Sequence, residues 1–334
     1  MRAVVIGDGG SLELRELPTP EPGPGQARVR VRACGVNRAD LLQRRGLYPA
    51  PPDAPADVPG LEIAGEVDAV GSGTTDVRVG DRVHGVVSGG GYGEYVVVHA
   101  RTLAPIPSVG GAPLGFVEAA AVPEAFVTAY DAMVVQGGLA AGEVALVHAA
   151  GSGVGTAAVQ IARAIGARAI GTARSQEKLD RAAALGLGAG IVAEASPDGA
   201  SVTFAARVRE LSEGRGADLA LDLVGGAYVP ESLAALADRG RLVLVGLMGG
   251  AKASVDLGLV LRRRLRVFGT VLRSRPLEEK ILAGQLLARN IAPLVAEAKL
   301  VPVVDRVFSL AQAAEAHDLM ASNASFGKIV LTVD

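Results

Sequence analysis

Cysteine is nearly missing from this sequence, since Cys34 is the only one in 334 residues. One cysteine excludes an internal disulfide framework and any zinc lobe held by four thiolates. A reducing compartment is therefore expected, and we predict a cytoplasmic protein with Cys34 as a small buried hydrophobe. Tryptophan is absent and aromatic residues make up 3% of the chain. A basic stripe interleaved with aromatic rings is missing, so no nucleic-acid site is predicted.

Long apolar runs and strong net charge are missing as well. No stretch of about 18 or more apolar residues lacks a charge or a glycine, so no membrane span is predicted. The first residues reach charge and glycine too early for a signal peptide, and we expect none. The formal net charge of -2 creates no field that attracts a polyanion. No nucleic-acid or membrane partner is therefore expected.

The residues that are abundant are small and aliphatic. The chain is 49% hydrophobic and holds 44 glycines, which suits a parallel sheet buried under helices. Residues 1–121 resemble short β-branched strands with Gly and Pro breaks, one helix after Asn37, and a long Pro-rich loop of the kind that binds ligands. From residue 122 strands and helices alternate, which predicts an α/β fold with a doubly wound parallel sheet of about six strands. The predicted domains are 1–121 with 273–334, and 122–272.

The segment HAAGSGVGTAAVQ lies between the first strand and the first helix of the alternating part. Small residues there allow a tight turn and let N–H groups at the helix N-terminus approach a pyrophosphate. Ala150, Ser152 and Gly155 occupy the fingerprint positions, so the loop alone is weak evidence and a plain strand–turn–helix is the alternative. The alternating pattern that follows it favours a dinucleotide site. Its predicted residues are Gly151, Ser152, Gly153, Val154 and Gly155.

The end of the second alternating strand indicates which dinucleotide is bound. In the stretch GTARSQEKL no Asp or Glu precedes Glu177, which belongs to the next predicted helix, so the strand end lacks the acidic residue that holds the ribose 2′-hydroxyl in NAD binders. Arg174, Ser175 and Lys178 offer donors and positive charge for a 2′-phosphate instead. We therefore predict NADPH as the cofactor, with an ordinary solvated helix start as the alternative.

Longer motifs occur in a fixed order: GVNRADLLQRRGLYPAPP, PGLEIAGEV, GGYGEYVVV and HAAGSGVGTAAVQIA. Together they resemble the zinc-independent quinone oxidoreductases of the medium-chain dehydrogenase/reductase superfamily. The closest group is the NADPH:quinone reductases of the tumour-suppressor-inducible type. The resemblance implies a GroES-like, β-rich catalytic domain plus a Rossmann domain with a doubly wound parallel sheet. It also implies a homodimer that pairs through the strand in RLRVFGTVL.

Zinc-dependent members of that superfamily differ from this chain at the metal ligands. They carry a Cys where this chain has Asn37, a His where it has Leu61, and a second Cys near Glu124. The residues present make a poor zinc site, so no metal is predicted. Without a Lewis acid an unactivated ketone is a poor substrate, whereas a quinone needs only a few hydrogen-bond donors.

The function predicted from this reasoning is a zinc-free oxidoreductase that transfers hydride from NADPH to quinones. One alternative is an NADPH-dependent reductase of conjugated enones, 2-alkenals or enoyl thioesters. Another is an NADPH-binding protein with little catalysis, as among lens crystallins of the superfamily.

The resemblance assigns roles to single residues. Tyr48 would hydrogen-bond the nicotinamide ribose or the acceptor oxygen, Asn37 would orient the acceptor carbonyl, and Ser152 would face the pyrophosphate; these are the predicted catalytic residues. A surface tyrosine and a helix cap are the alternatives for Tyr48 and Asn37, and plain surface charge is the alternative for Lys328. The further predicted cofactor contacts are Thr128, Gly246, Leu247, Met248, Val271, Leu272, Arg273 and Lys328.

Overall fold

The computed structural model describes residues 1–195 and 201–333, the side chains of residues 194 and 195 excepted. The chain divides into two compact units. Unit 1 is Met1–Val127 with Leu272–Asp334, and unit 2 is Thr128–Val271. The chain passes from unit 1 to unit 2 after Val127, a few residues beyond the predicted boundary at 121. It returns to unit 1 at Leu272, one residue before the predicted boundary at 273. Asp334, the end of the predicted returning segment, is outside the described residues.

Unit 1 begins with a β-rich segment. Its strands are β1 (Arg2–Ile6), β2 (Leu12–Glu16), β3 (Gln26–Val36), β4 (Glu62–Val70), β5 (Arg82–Val86), β6 (Tyr95–His99), β7 (Leu103–Pro105), β8 (Ser108–Val109) and β9 (Ala112–Pro113). Its helices are α1 (Arg38–Arg44), α2 (Phe116–Ala120) and α3 (Pro123–Tyr130), the last of which runs across the crossing. Short 3₁₀ turns lie at Asp8–Gly10 and Ala100–Thr102.

Unit 2 alternates strands with helices, as the sequence predicts. After a π-helical turn at Asp131–Gln136 come β10 (Val144–Val147), α4 (Gly153–Ala164), β11 (Arg168–Ala173), α5 (Gln176–Ala183), β12 (Ala189–Val192), β13 (Glu194–Ala195), β14 (Val202–Thr203), α6 (Ala205–Leu211), β15 (Ala217–Asp222), α7 (Tyr228–Ala235), β16 (Leu236–Leu244), α8 (Leu257–Arg263) and β17 (Arg266–Gly269). Across the described part of unit 2, six parallel strands pair in the order β12-β11-β10-β15-β16-β17. The predicted α/β fold is confirmed.

The chain then returns to unit 1. The returning elements are α9 (Leu277–Leu286), a π-helical turn (Leu287–Ile291), α10 (Ala292–Ala296), β18 (Val304–Ser309), a 3₁₀ turn (Leu310–Gln312), α11 (Ala313–Ser322) and β19 (Lys328–Thr332). In the described residues of unit 1, β18-β19-β3-β4-β5-β7 form one sheet, and β6 also pairs with β3. β19 is antiparallel to β3, with Ile329 opposite Val36. This pairing brings the chain end back to the start of α1.

One predicted boundary is wrong. The sequence predicts a helix over residues 229–240, but α7 ends at Ala235 and β16 begins at Leu236. Leu236 is fully buried and lies opposite Ala217 in the sheet. Pairing and burial in the sheet therefore outweigh the good helix propensity of the Leu- and Ala-rich stretch.

Membrane insertion by a helix has no support in the described residues. None of the helices found there is both long enough and apolar enough to span a bilayer.

Candidate functional site

The strand order of unit 2 defines where a ligand would bind. The order reverses between the neighbours β10 and β15, and open α/β sheets bind ligands at the carboxyl ends of their strands at such a switch point. The glycine-containing loop follows β10 at this edge. The backbone N–H of Ala150 donates to the carbonyl of Thr172 (2.9 Å), so this loop lies beside the end of β11.

Ser152 is the N-cap of α4, a helix of 12 residues. Its Oγ accepts a hydrogen bond from the N–H of Gly155 (3.0 Å), and this bond leaves the hydroxyl hydrogen free to donate. The first N–H groups of a helix have no acceptor within the helix, and its N-terminus carries partial positive charge. The start of α4 therefore suits a phosphate, and the loop residues fit the predicted dinucleotide.

Gly155 allows α4 to approach the loop closely. A Cβ at this position would overlap the carbonyl oxygen of Ala149 and lie 2.8 Å from the Cα of Ala150. Ala149 itself has φ 50, a left-handed conformation that costs an alanine about 1 kcal/mol or more. The loop is thus held in one particular shape by tight backbone contacts.

The residues predicted to distinguish NADPH from NADH follow β11 directly. Arg174 is exposed, Ser175 is the N-cap of α5, and Lys178 lies half-buried in that helix. Because Thr172 contacts the glycine-containing loop through Ala150, these side chains lie on the same edge of the sheet as the start of α4.

The loop after β16 carries exposed apolar side chains. Leu247 and Met248 are 53% and 52% exposed, and a Cβ at Gly246 would lie 2.6 Å from the carbonyl oxygen of Leu223. The loops after β15 and β16 therefore pack backbone to backbone, with apolar side chains presented outward. Val271, also predicted to contact the cofactor, is 50% exposed, whereas Thr128 on α3 is buried.

His148, which precedes the loop, is a structural residue. Its Nδ1 lies 2.9 Å from the hydroxyl of Thr172 and its Nε2 lies 2.8 Å from the hydroxyl of Ser232. Burial lowers the pKa of His148 to about 4. The imidazole is therefore neutral at pH 7.

Unit 1 contains a second group of candidate residues, which we call the polar cluster: Asn37, Asp40, Glu62, Glu124 and Lys328. Lys328, at the start of β19, is 4% exposed. Its Nζ donates to Glu62 Oε1 (2.5 Å), to Asn37 Oδ1 (2.6 Å) and to the carbonyl of Val36 (3.0 Å). Plain surface charge is therefore wrong for Lys328. Its contact with the cofactor stays a prediction, although these three acceptors already occupy the ammonium.

Glu62 is the centre of the polar cluster and is fully buried. Its Oε1 also accepts from Asn37 Nδ2 (2.9 Å), and its Oε2 accepts from the backbone N–H of Glu124 (2.9 Å). Gly35 makes room for this carboxylate, because a Cβ there would overlap Glu62 Oε1. Each oxygen of Glu62 thus has a partner, as a buried charge requires.

The helix cap, the alternative interpretation of Asn37, is confirmed, and the role of Asn37 in orienting an acceptor carbonyl stays a prediction. Asn37 is the N-cap of α1, where its backbone N–H donates to Asp40 Oδ2 (2.8 Å). Its side chain points into the polar cluster, between Glu62 and Lys328. Both ends of the amide are therefore engaged inside the protein.

Asp40 connects the polar cluster to two further buried groups. Tyr92 donates its hydroxyl to Asp40 Oδ2 (3.2 Å) and lies 3.1 Å from His317 Nε2. Burial raises the pKa of Asp40 to about 6, against the hydrogen bonds from the N–H groups of Asn37 and Gly60. Burial lowers the pKa of His317 to about 4, so this imidazole is neutral.

Tyr48 is held in its loop by Arg273. The guanidinium of Arg273 donates to the carbonyls of Tyr48 (3.2 Å) and Ser88 (2.7 Å) and to Gln43 Oε1 (2.8 Å), and it lies 5.3 Å from the centre of the Tyr48 ring. Throughout the described residues the Tyr48 hydroxyl has no hydrogen-bond partner. Burial raises the pKa of Tyr48, and the charge of Glu124 adds to the shift. This hydroxyl is therefore a neutral donor available to a ligand.

The structure gathers the predicted residues into two sets. The loop, Arg174, Ser175, Lys178, Gly246, Leu247 and Met248 belong to unit 2; Tyr48, Asn37, Arg273 and Lys328 belong to unit 1, which begins again at Leu272. The predicted cofactor roles of Val271, Leu272 and Arg273 stay predictions. Sequence reasoning missed Asp40, Tyr92 and the ion pair of Glu62 with Lys328, because only contacts between residues far apart in sequence bring these groups together.

Two family models match the chain: an alcohol dehydrogenase GroES-like domain over residues 23–108 and a zinc-binding dehydrogenase domain over residues 153–288. A quinone oxidoreductase-like protein 2 homolog from Nematostella vectensis is 32% identical over 90% of this chain and 79% of its own length. One component of the phenolphthiocerol/phthiocerol polyketide synthase from Mycobacterium tuberculosis is 35% identical over 90% of this chain. This chain spans only 13% of that synthase component.

Solved structures of similar proteins cover the whole fold. An NAD-dependent alcohol dehydrogenase superposes with a TM-score of 0.83 and 36% identity over 100% of both chains. A mycobacterial protein in complex with NADPH superposes with a TM-score of 0.85 and 28% identity over 99% of both chains.

The polar cluster does not fit the zinc ion that the name of the zinc-binding dehydrogenase model implies. Asn37 Oδ1 and Glu62 Oε1 both accept from an ammonium group. Among residues 1–195 and 201–333, no three His, Cys, Asp or Glu side chains are grouped to hold a metal ion.

Proposed function

We propose that this chain transfers hydride from NADPH to quinones without a metal. The premise is that the chain belongs to the medium-chain dehydrogenase/reductase superfamily and is an oxidoreductase. The observation that carries the proposal is the buried ammonium of Lys328, which binds the oxygens of Asn37 and Glu62. An acceptor here is not polarised by a Lewis acid and must be electrophilic in itself. A closer relation to the tumour-suppressor-inducible reductases remains part of this proposal.

The residues of unit 2 bind and orient the cofactor in this proposal. The N–H groups at the start of α4 and the hydroxyl of Ser152 hold the pyrophosphate. Arg174, Ser175 and Lys178 hold the 2′-phosphate. Bound NADPH supplies the hydride.

The residues of unit 1 act on the acceptor. Tyr48 donates its hydroxyl to the acceptor oxygen on which negative charge develops, and Arg273 keeps the Tyr48 loop in place. Asn37 acts as a positioning residue, because both ends of its amide hold Glu62 and Lys328.

The acceptor class is tested by following NADPH absorbance with ortho- and para-quinones, 2-alkenals, an enoyl thioester and a simple ketone, with and without a chelator. We expect chelator-insensitive turnover on quinones and a drop of about 100-fold in kcat/KM for Tyr48→Phe, the cost of losing one donor to a developing oxyanion. Tyr95→Phe on β6 is the matched control and should leave turnover unchanged.

Other outcomes separate the alternatives. Turnover confined to alkenals or the thioester would replace the quinone proposal with the enone alternative, which the similarity to a polyketide synthase keeps in the panel. Cofactor binding without turnover on any acceptor would favour the noncatalytic NADPH binder. Chelator-sensitive reduction of the ketone would contradict the metal-free mechanism.

The preference for NADPH is tested at Arg174. We expect Arg174→Ala to lower the NADPH:NADH ratio of kcat/KM by about 10-fold or more, because a charge-assisted hydrogen bond contributes about 1.5–3 kcal/mol. Arg181→Ala, further along α5, is the control and should leave the ratio unchanged. An unchanged ratio in Arg174→Ala would end the assignment of the 2′-phosphate to this residue.

The homodimer also stays a proposal. β17 is the last strand in the described sheet order of unit 2, and Val267 on it is 45% exposed. A monomeric mass in light scattering at micromolar concentration would contradict the homodimer.

A further inference from the structure

Glu124 has an unsatisfied carboxyl oxygen in the interior of unit 1. Its Oε2 is buried and has no hydrogen-bond partner in the part of the chain that the structure describes, while the residue as a whole is partly exposed. Its backbone N–H, in contrast, is bound to Glu62 Oε2 (2.9 Å). An ionised carboxylate left in this condition is costly, whereas a protonated carboxyl group costs much less.

The groups around Glu124 also favour its protonated form. The pKa of Glu124 is raised to about 8, mainly by burial and then by the charge of Glu62, with a smaller contribution from Asp40; Lys328 and Arg273 oppose the shift. Since Lys328 is already paired with Glu62, it offsets the charge of a second carboxylate only in part. The charged or titratable groups that face Glu124 are Glu62 from β4, Lys328 from β19, Asp40 from α1, and Arg273 and Tyr48 from the loops.

We propose that Glu124 is the catalytic acid that protonates the acceptor after hydride transfer, an inference that rests on the proposed quinone reduction. The acceptor takes two electrons and one hydrogen nucleus with the hydride, which leaves it as an oxyanion. The O–H bond of Glu124 then breaks, and an O–H bond forms on the acceptor oxygen. The hydroquinone leaves neutral, and the Glu124 carboxylate takes a proton from solvent before the next turnover.

The acidity of Glu124 fits this step, and Glu124 lies near enough to Tyr48 for its charge to raise the pKa of that phenol. A phenol has a pKa of about 10, so a carboxyl group titrating near 8 transfers its proton to a phenolate downhill. Tyr48 is the weaker acid of the two, because burial raises the pKa of its phenol. Tyr48 therefore stabilises the oxyanion by donating a hydrogen bond, and Glu124 transfers its proton to the oxyanion.

The test is the pH dependence of kcat for wild type, Glu124→Gln and Glu124→Asp with one para-quinone and saturating NADPH. The acid must be protonated, so wild-type kcat should be constant below about pH 7 and fall as the pH rises through about 8. Glu124→Gln should lower kcat about 100-fold at pH 7, the usual contribution of general acid catalysis, and should lose this basic limb. Glu124→Asp keeps an acid and should retain a limb with part of the activity.

The control variant is Glu118→Gln, at an exposed position on α2. It should leave the pH profile of kcat unchanged. If wild type oxidises NADPH with quinones but Glu124→Gln keeps its kcat and its basic limb, the role of Glu124 is overturned while the proposed function stands. If wild type uses no acceptor, the proposed function itself fails. If Glu124→Gln does not fold, the wild-type and Glu124→Asp profiles decide, since a wild-type profile without a limb between about pH 7 and 9 contradicts the acid.

Discussion

Lys328→Met should lower the free energy of unfolding by about 3–5 kcal/mol, the cost of removing one partner from a buried ion pair. The variant leaves Glu62 as a fully buried carboxylate. The amide of Asn37 and the backbone N–H of Glu124 still donate to Glu62, but no cation faces it directly. The buried carboxylate of Glu62 then lacks its countercharge, and the folded state loses that stabilisation.

This prediction is checked by urea unfolding of Lys328→Met, Glu62→Gln and the double variant. The double variant should lose less than the sum of the two single losses, because it leaves no uncompensated charge. Lys280→Met is the matched control. The Lys280 side chain is 15% exposed and also donates to Ser88 Oγ (2.8 Å), but its partner Asp53 (2.7 Å) is 55% exposed and can be hydrated when the ammonium is removed, so the loss should cost about 1 kcal/mol. Equal, small losses at Lys328 and Lys280 would show that the buried pair contributes little to stability.

The parts of the site that were predicted correctly depend on neighbouring residues in sequence. Asn37 and Ser175 are predicted at the starts of α1 and α5 because caps are read from short local patterns, and the structure places both as N-caps. Ser152, the N-cap of α4, is predicted only as a residue of the glycine-containing loop. The alternation of strands and helices likewise predicted the parallel sheet, since it needs only the period of apolar residues. The start of β16 was missed, because there the pairing of Leu236 with Ala217 decides against a continued helix.

The chemistry of the polar cluster was not predictable in that way. Glu62 and Lys328 meet because β19 returns to pair with β3, and no local pattern encodes that contact. Arg273 reaches the Tyr48 loop through another long-range contact. From sequence, Arg273 and Lys328 are predicted as cofactor contacts, with plain surface charge as the alternative for Lys328, and neither prediction includes these pairings. Gly35 was a usable sign, since a glycine inside β3 often marks the close approach of another group, here the carboxylate of Glu62.

Gly155→Ala should weaken NADPH binding by about 100-fold, the effect of a displacement of about 1 Å in a positioned group. In the native structure α4 begins against the loop, and the added Cβ would overlap the carbonyl oxygen of Ala149 and crowd the Cα of Ala150 (2.8 Å). Neither atom belongs to a flexible side chain, so the helix start has to move away from the loop. That movement displaces the N–H groups that we propose hold the pyrophosphate.

The matched control for Gly155→Ala is Gly258→Ala on α8. The Cβ there would meet Arg262 Nη1 (2.8 Å) and Asp256 Oδ1 (2.9 Å), which are the ends of exposed side chains that can rotate away. Alanine should therefore be neutral or add up to about 1 kcal/mol to stability through helix propensity, with NADPH affinity unchanged. Fluorescence titration with NADPH and urea unfolding measure both quantities for both variants. If Gly155→Ala kept its NADPH affinity while losing stability, the close contact would serve the packing of α4 alone, and the pyrophosphate would have to be held elsewhere.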